Sequence, residues 1–228
     1  MKKYIRIWEI DFLRGIAILL MVFFHLIYDL NVFFKLPVVY QEGIVYYTGK
    51  VAASLFITIA GLSCCLSRNN LKRGLVLIGL GLMITLITFI AAPDSNIVFG
   101  ILHFLGVSIL AYCIFRNLAA WKLLALGTLF IIAGPYVSGI DMPNNFLVPL
   151  GLFKKDFSSA DYYPLVPWFG LFLYGMALFK LEYQKKQSLF KFDLSNNLIV
   201  WLGQRALLIY LVHQPVLLGI LYLIFNKD

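Results

Sequence analysis

Four ionisable residues, Asp11, Arg14, His25 and Asp29, lie along one otherwise apolar stretch near the N-terminus. If that stretch is helical, each residue advances about 100°, so all four fall within a narrow sector. Arg14 would sit at one edge of the stretch and His25 roughly 16 Å further along. Charged and titratable groups are costly at membrane depth, and there they mark functional sites. In this pattern His25 is a candidate general base or nucleophile. Asp29, one turn on, could accept a hydrogen bond from the ring and orient it. The plainer alternative is an imidazole satisfied by a neighbouring carbonyl, beside an Asp11–Arg14 pair of little energetic weight.

The other two histidines, His103 and His213, also lie inside apolar runs. Tyr210 and Gln214 flank His213, and Pro215 follows. Trp168 falls near the outer end of a later run, as an interfacial aromatic or a pocket wall. By the topology below, all three imidazoles lie in the middle or outer part of the membrane, where they could share one site.

The elements that must position these residues follow from composition. Apolar residues make up 61% of the chain and charged residues 13%, with a mean hydropathy of +0.87. So little charge cannot cover a water-soluble globule of this size. The apolar residues fall in runs of about twenty, enough to cross a hydrocarbon core of about 30 Å. They lie at Phe12–Val32, Gly43–Leu66, Lys72–Ala91, Val98–Phe115, Ala119–Gly139, Pro164–Lys180 and Gly203–Phe225. Backbone groups in lipid must bond within their own segment, so each run is expected to be a helix. The expected fold is all-α: one polytopic helical bundle of about seven transmembrane helices, a single domain over residues 1–228.

Charge orients it. With the N-terminus cytoplasmic, fourteen of the 19 Lys and Arg lie inside, leaving Lys35, Lys50, Lys154, Lys155 and Lys227 outside. That asymmetry favours Met1 inside and Asp228 outside. Glu9, Asp11 and Arg14 interrupt the approach to the first run, which is expected to remain as an anchor and not to be cleaved. Of the two longest connections, residues 140–163 outside carry Asp141, Asp156, Asp161 and several aromatics and could cap a cavity. The inner stretch, residues 181–204, is expected to be non-helical, and its polar and basic part, Glu182–Asn197, reads as a solvated interfacial loop. The glycines Gly74, Gly79 and Gly81 read as close-packing positions between helices.

Several motifs carry a resemblance. The opening Trp8-Glu9-Ile10-Asp11-Phe12-Leu13-Arg14-Gly15, followed by Phe23-Phe24-His25, is similar to the start of heparan-alpha-glucosaminide N-acetyltransferase-like membrane proteins. Phe99-Gly100-Ile101-Leu102-His103-Phe104, Asp161-Tyr162-Tyr163-Pro164-Leu165-Val166-Pro167-Trp168-Phe169-Gly170 and Ile209-Tyr210-Leu211-Val212-His213-Gln214-Pro215 complete it. Arg14 and His25 also resemble the arginine, ten residues, histidine pattern of the broader membrane acyltransferases. The resemblance implies transfer of an acyl group, acetyl in that family, from cytoplasmic acyl-CoA to a hydroxyl or amine acceptor such as a sugar or glycan. By it His25 is catalytic and Arg14 binds the donor; the spacing adds Asp29 to the catalytic pair, and the inner positive charge adds Arg205 as a further partner for the donor's phosphates. His103, Asp161, Tyr162, Trp168, Tyr210, His213 and Gln214 would line the substrate pocket, with some of them donating to the thioester oxyanion. The lysosomal heparan enzyme looks different at the His25 position and places its histidine in a lumenal loop; the outer segments here contain no histidine, so its heparan-specific mechanism and substrate are not carried over.

Two other classes stay open. Buried His and Asp would also suit a proton-coupled small-molecule transporter, and the polar stripe could serve helix contacts in a non-catalytic membrane subunit. Consumption of acyl-CoA separates the first reading from both. No basic face with interleaved aromatics points to nucleic acid, and no His or Cys spacing points to a metal. The net charge of +8 is a topology signal with attraction to anionic lipid. The expected location is the cell membrane, as a multi-pass protein, with a homo-oligomer possible.

Overall fold

The computed structural model describes residues 6–225. Lys2, Lys3, Lys227 and Asp228, which entered the charge count, lie outside the described residues. The described chain is helical, with no named strand: α1 (Trp8–Val32), α2 (Gly43–Leu66), α3 (Asn70–Ala91), α4 (Ile101–Phe115), α5 (Ala120–Ser138), α6 (Leu165–Glu182), α7 (Leu198–Gln204) and α8 (Ala206–Phe225). Short 3-10 turns occur at Pro93–Ser95 and Val148–Leu150.

Six of these helices, α1, α2, α3, α5, α6 and α8, are long and apolar enough to cross a membrane. The fourth apolar run forms a helix of 15 residues, about 22 Å at 1.5 Å per residue and shorter than the hydrocarbon core. Large apolar side chains stay exposed along α3, among them Leu75, Leu82, Leu86 and Ile90. In water such a stripe would aggregate; in lipid it is the ordinary outer surface of a span. The protein is a multi-pass membrane protein.

Local chemistry sets several helix ends. Asn69 accepts the Lys72 N–H at 3.1 Å and Asn197 accepts the Ile199 N–H at 2.8 Å, each a side-chain N-cap. The sixth run starts as the prolines suggested, but Val166 keeps extended angles inside α6, so the regular helix begins beyond it. Pro135 and Pro215 sit within α5 and α8, each removing one backbone donor.

The helices cluster into two compact units, residues 1–56 with 186–228, and residues 57–185. In the first, α7 lies directly against α1. A Cβ at Gly203 would collide with the Asp11 carbonyl oxygen, and one at Gly15 with the Ile199 carbonyl oxygen. The stretch 181–204, expected to be non-helical, is therefore only partly so. It contains α7, whose Val200 is fully buried, and a strap whose Leu189 N–H donates to Glu9 Oε1 at 2.8 Å. The reason is local: Leu198-Ile199-Val200 is an apolar turn between two polar flanks, too short to be seen as a span.

In the second unit, Gly74 of α3 meets Gly106 and Leu110 of α4, and Gly81 meets the His103 ring. Gly127 and Gly170 bring α5 and α6 into backbone contact, and Gly61 and Gly175 do the same for the end of α2 and α6. This is small-residue packing of the kind that holds membrane helices together. Gly79 departs from that expectation: a Cβ there would meet nothing within 4 Å. Phe104, Phe172, Leu123, Leu173 and Met176 form the fully buried core of this unit.

Candidate functional site

The polar stripe of α1 is present, but its groups do not all bond one another. At the N-terminal end, Arg14 donates to Asp11 Oδ1 at 2.5 Å and lies 3.5 Å from the Gly203 carbonyl oxygen. Arg6 approaches the other Asp11 oxygen at 3.8 Å. Two guanidinium groups thus share one carboxylate, and the trio keeps an excess positive charge. Arg205, two residues beyond Gly203, is exposed, with its guanidinium 4.1 Å over the Trp201 ring. Three arginines therefore gather at one end of the unit, where α1 starts and α7 gives way to α8.

Three turns along α1, the His25 ring is half-buried. Its Nδ1 lies 2.9 Å from the Met21 carbonyl oxygen, one turn back. A carbonyl only accepts, so Nδ1 carries the hydrogen, and in the neutral ring Nε2 keeps its lone pair. This corrects the expected His25–Asp29 bond. The i−4 carbonyl is within reach of the ring on its own helix, while Asp29 turns to α8 and accepts from Gln214 Nε2 at 2.5 Å.

His213 stands against His25, ring centroids 4.8 Å apart at 80°. Its Nδ1 donates to the Tyr210 carbonyl at 2.6 Å, and the Tyr210 ring lies 5.5 Å away. Asp29 is completely buried, and its Oδ2, His213 Nε2 and Gln214 Oε1 have no hydrogen-bond partner. With both Nδ1 atoms donating to helix carbonyls, the Nε2 atom of each ring in its neutral form, the carboxylate and the amide oxygen are all acceptors. Such a cluster suits chemistry that removes a proton from an incoming group. His213 Nδ1–H is committed to the Tyr210 carbonyl, whereas Gln214 gives Asp29 one of its two amide hydrogens and keeps the second as a donor for an oxyanion.

The remaining predicted residues belong to the second unit. His103 stacks on Phe99, centroids 5.7 Å apart at 27°. Thr85 spends its hydroxyl proton on the Ile97 carbonyl at 2.6 Å, so at 3.4 Å it can only accept from His103 Nε2. His103 Nδ1 is then a buried acceptor without a partner. Asp161 Oδ2 accepts the Ile101 N–H at 2.9 Å and thereby caps α4, because Gly100 has no side chain to do so. A Cβ at Gly100 would strike that carboxylate. Tyr163 N–H donates to the Phe99 carbonyl at 3.0 Å, and Val98 N–H to Ser159 Oγ at 3.1 Å. The Phe99–Phe104 and Asp161–Gly170 motifs are thus two halves of one clasp at the start of α4.

Tyr162, expected in the pocket, donates its hydroxyl to the Val148 carbonyl at 2.7 Å, and burial pushes its pKa up to about 12. Burial and the nearby Asp161 also raise that of Tyr163. Trp168 packs its ring 4.9 Å from Tyr163.

The comparisons follow the same outline. The family described as "Heparan-alpha-glucosaminide N-acetyltransferase, catalytic" matches residues 6–215. The chain belongs to this family. The match runs from Arg6 to Pro215, so it takes in the arginine end, His25, the α4 clasp and the His213-Gln214 pair. Family membership makes the chain a membrane transferase of the acetyltransferase class. No curated protein and no solved structure matches it.

Sequence reasoning missed Glu9 as a structural anchor, the Met21 carbonyl as the partner of His25, and the α1–α7 backbone contact. Only the last carried a sequence mark, the small residues Gly15 and Gly203.

Proposed function

We propose that the protein transfers an acyl group, acetyl by family, from cytoplasmic acyl-CoA to a hydroxyl or amine acceptor such as a sugar, at or across the cell membrane. The observation that carries the reading is the His25 tautomer. Its Nδ1–H is held by Met21, so Nε2 is the basic atom, and it stands among acceptors. In this scheme His25 Nε2 takes the proton of the acceptor X–H as X attacks the thioester carbonyl. The tetrahedral intermediate expels the thiolate by C–S cleavage, and the imidazolium returns the proton to sulfur. Products are the acylated acceptor and free CoA, and the ring ends neutral. His213, 4.8 Å away, stabilises the imidazolium by offering a lone pair at its own Nε2.

Donor phosphates are assigned to the arginine end. Arg6, Arg14 and Arg205 supply more positive charge than Asp11 neutralises, and arginine forks match phosphate oxygens. The test uses the purified protein in proteoliposomes with acetyl-CoA inside and a panel of amino and hydroxy sugars outside. Free CoA should appear inside in step with acetylated acceptor. Solute flux with no thioester consumption would identify a transporter instead.

A further inference from the structure

The strap over residues 186–197 has an unusual surface. Leu189, Phe190, Phe192 and Leu194 are 39–56% exposed, interleaved with exposed Lys186 and Lys191. The strap is not loose. Leu189 N–H is tied to Glu9 Oε1 at 2.8 Å, and the Phe190 and Phe192 rings lie 5.7 and 5.4 Å from that of Trp8. Glu9 is 4% exposed, and its second oxygen has no partner. The single acidic side chain of the strap, Asp193, is occupied by Ser195, whose N–H and hydroxyl both donate to it. No ion pair among the described residues engages Lys186 or Lys191.

Depth follows from the anchor. Glu9 is the second residue of α1 and Trp8 the first, so the strap lies at the level where α1 enters the bilayer. Half-exposed aromatics at that level enter the boundary between headgroups and acyl chains, and lysines beside them reach up to the phosphates.

We infer that the 186–197 strap is a docking surface for anionic lipid headgroups, with Phe190, Phe192 and Leu189 seated at the acyl boundary and Lys186 and Lys191 pairing with phosphates. Charge complementarity selects the lipid: the strap sets two lysines that no ion pair among the described residues engages against one carboxylate held by Ser195, and so keeps an excess positive charge. Each lysine near a negative surface is worth roughly a fivefold gain in binding.

The experiment is native mass spectrometry of the full chain in micelles holding equal phosphatidylglycerol and phosphatidylcholine. Wild type should retain phosphatidylglycerol preferentially, and added salt should weaken the preference. Lys186→Gln with Lys191→Gln should reduce it about 25-fold, whereas the paired Lys→Arg variant should keep it. These side chains are exposed, so equal thermal unfolding of all three proteins is expected and is checked on the same samples. An unchanged preference in the Gln variant overturns the inference. So does loss of the preference in the Arg variant, displacement of the lipid by excess coenzyme A, or a dimer that retains neither lipid.

Discussion

Gly203→Ala probes the contact that holds the arginine end together. A Cβ at Gly203 would overlap the Asp11 carbonyl oxygen and come within 2.8 Å of the Asp11 carbonyl carbon and the Gly15 nitrogen. Gly15 faces the same difficulty against the Ile199 carbonyl. Every one of these obstacles except the Ile199 side chain is backbone, so no rotamer change can relieve the overlap and α7 must move off α1. Adding a methyl to a packed core typically costs about 1–3 kcal/mol, and a backbone clash belongs at or above the top of that range. The displacement would also carry the Gly203 carbonyl away from Arg14. Gly79→Ala is the matched control, since nothing lies within 4 Å of its added carbon. It should be neutral or gain up to about 1 kcal/mol of helix propensity. Thermal unfolding of both detergent-purified variants beside wild type reads the difference. Wild-type stability in Gly203→Ala, or a loss in Gly79→Ala equal to it, would refute the α1–α7 packing described.

Three further outcomes are expected. Gln214→Leu leaves the fully buried Asp29 without its donor and should destabilise the protein by about 1–3 kcal/mol; an unchanged unfolding temperature would mean the bond contributes nothing. Asp161→Ala removes the cap of α4 and should cost about 1 kcal/mol, while Asp161→Asn, which keeps an accepting oxygen, should cost less; equal losses in thermal unfolding would argue against the capping role. Arg14→Lys keeps the charge but loses the planar fork, so it should weaken CoA binding and leave a residual saturated rate; calorimetry showing unaltered CoA affinity in both Arg14→Lys and Arg14→Ala would remove Arg14 from the donor site.

The spans were legible because lipid imposes a simple rule on composition: runs such as Gly43–Leu66 appear in the structure with the same bounds. The stripe of Asp11, Arg14, His25 and Asp29 was legible because helical spacing is fixed. Which partner each group takes was not. His25 had two acceptors within reach on its own helix, the Met21 carbonyl and Asp29, and spacing cannot rank them. Asp29 chose Gln214, which lies in α8, and such a pairing depends on packing that no local pattern encodes. Asp161 shows the same limit: its motif suggested a pocket, but the glycine at the head of α4 made it a cap. Segment 181–204 was misjudged in part because α7 is only seven residues, too short to show a periodicity.

The central claim is that His25 is the base for acyl transfer, and the most direct measurement is acyl-transfer rate and thermal stability on one purified His25→Ala sample. A positioned base usually contributes about 10²–10⁴ in rate. The protein should lose at least that much activity while unfolding at the wild-type temperature and still binding CoA. A stable His25→Ala protein with full transfer activity would contradict the mechanism, and one that is merely unstable, with activity proportional to its folded fraction, would reduce His25 to a packing residue.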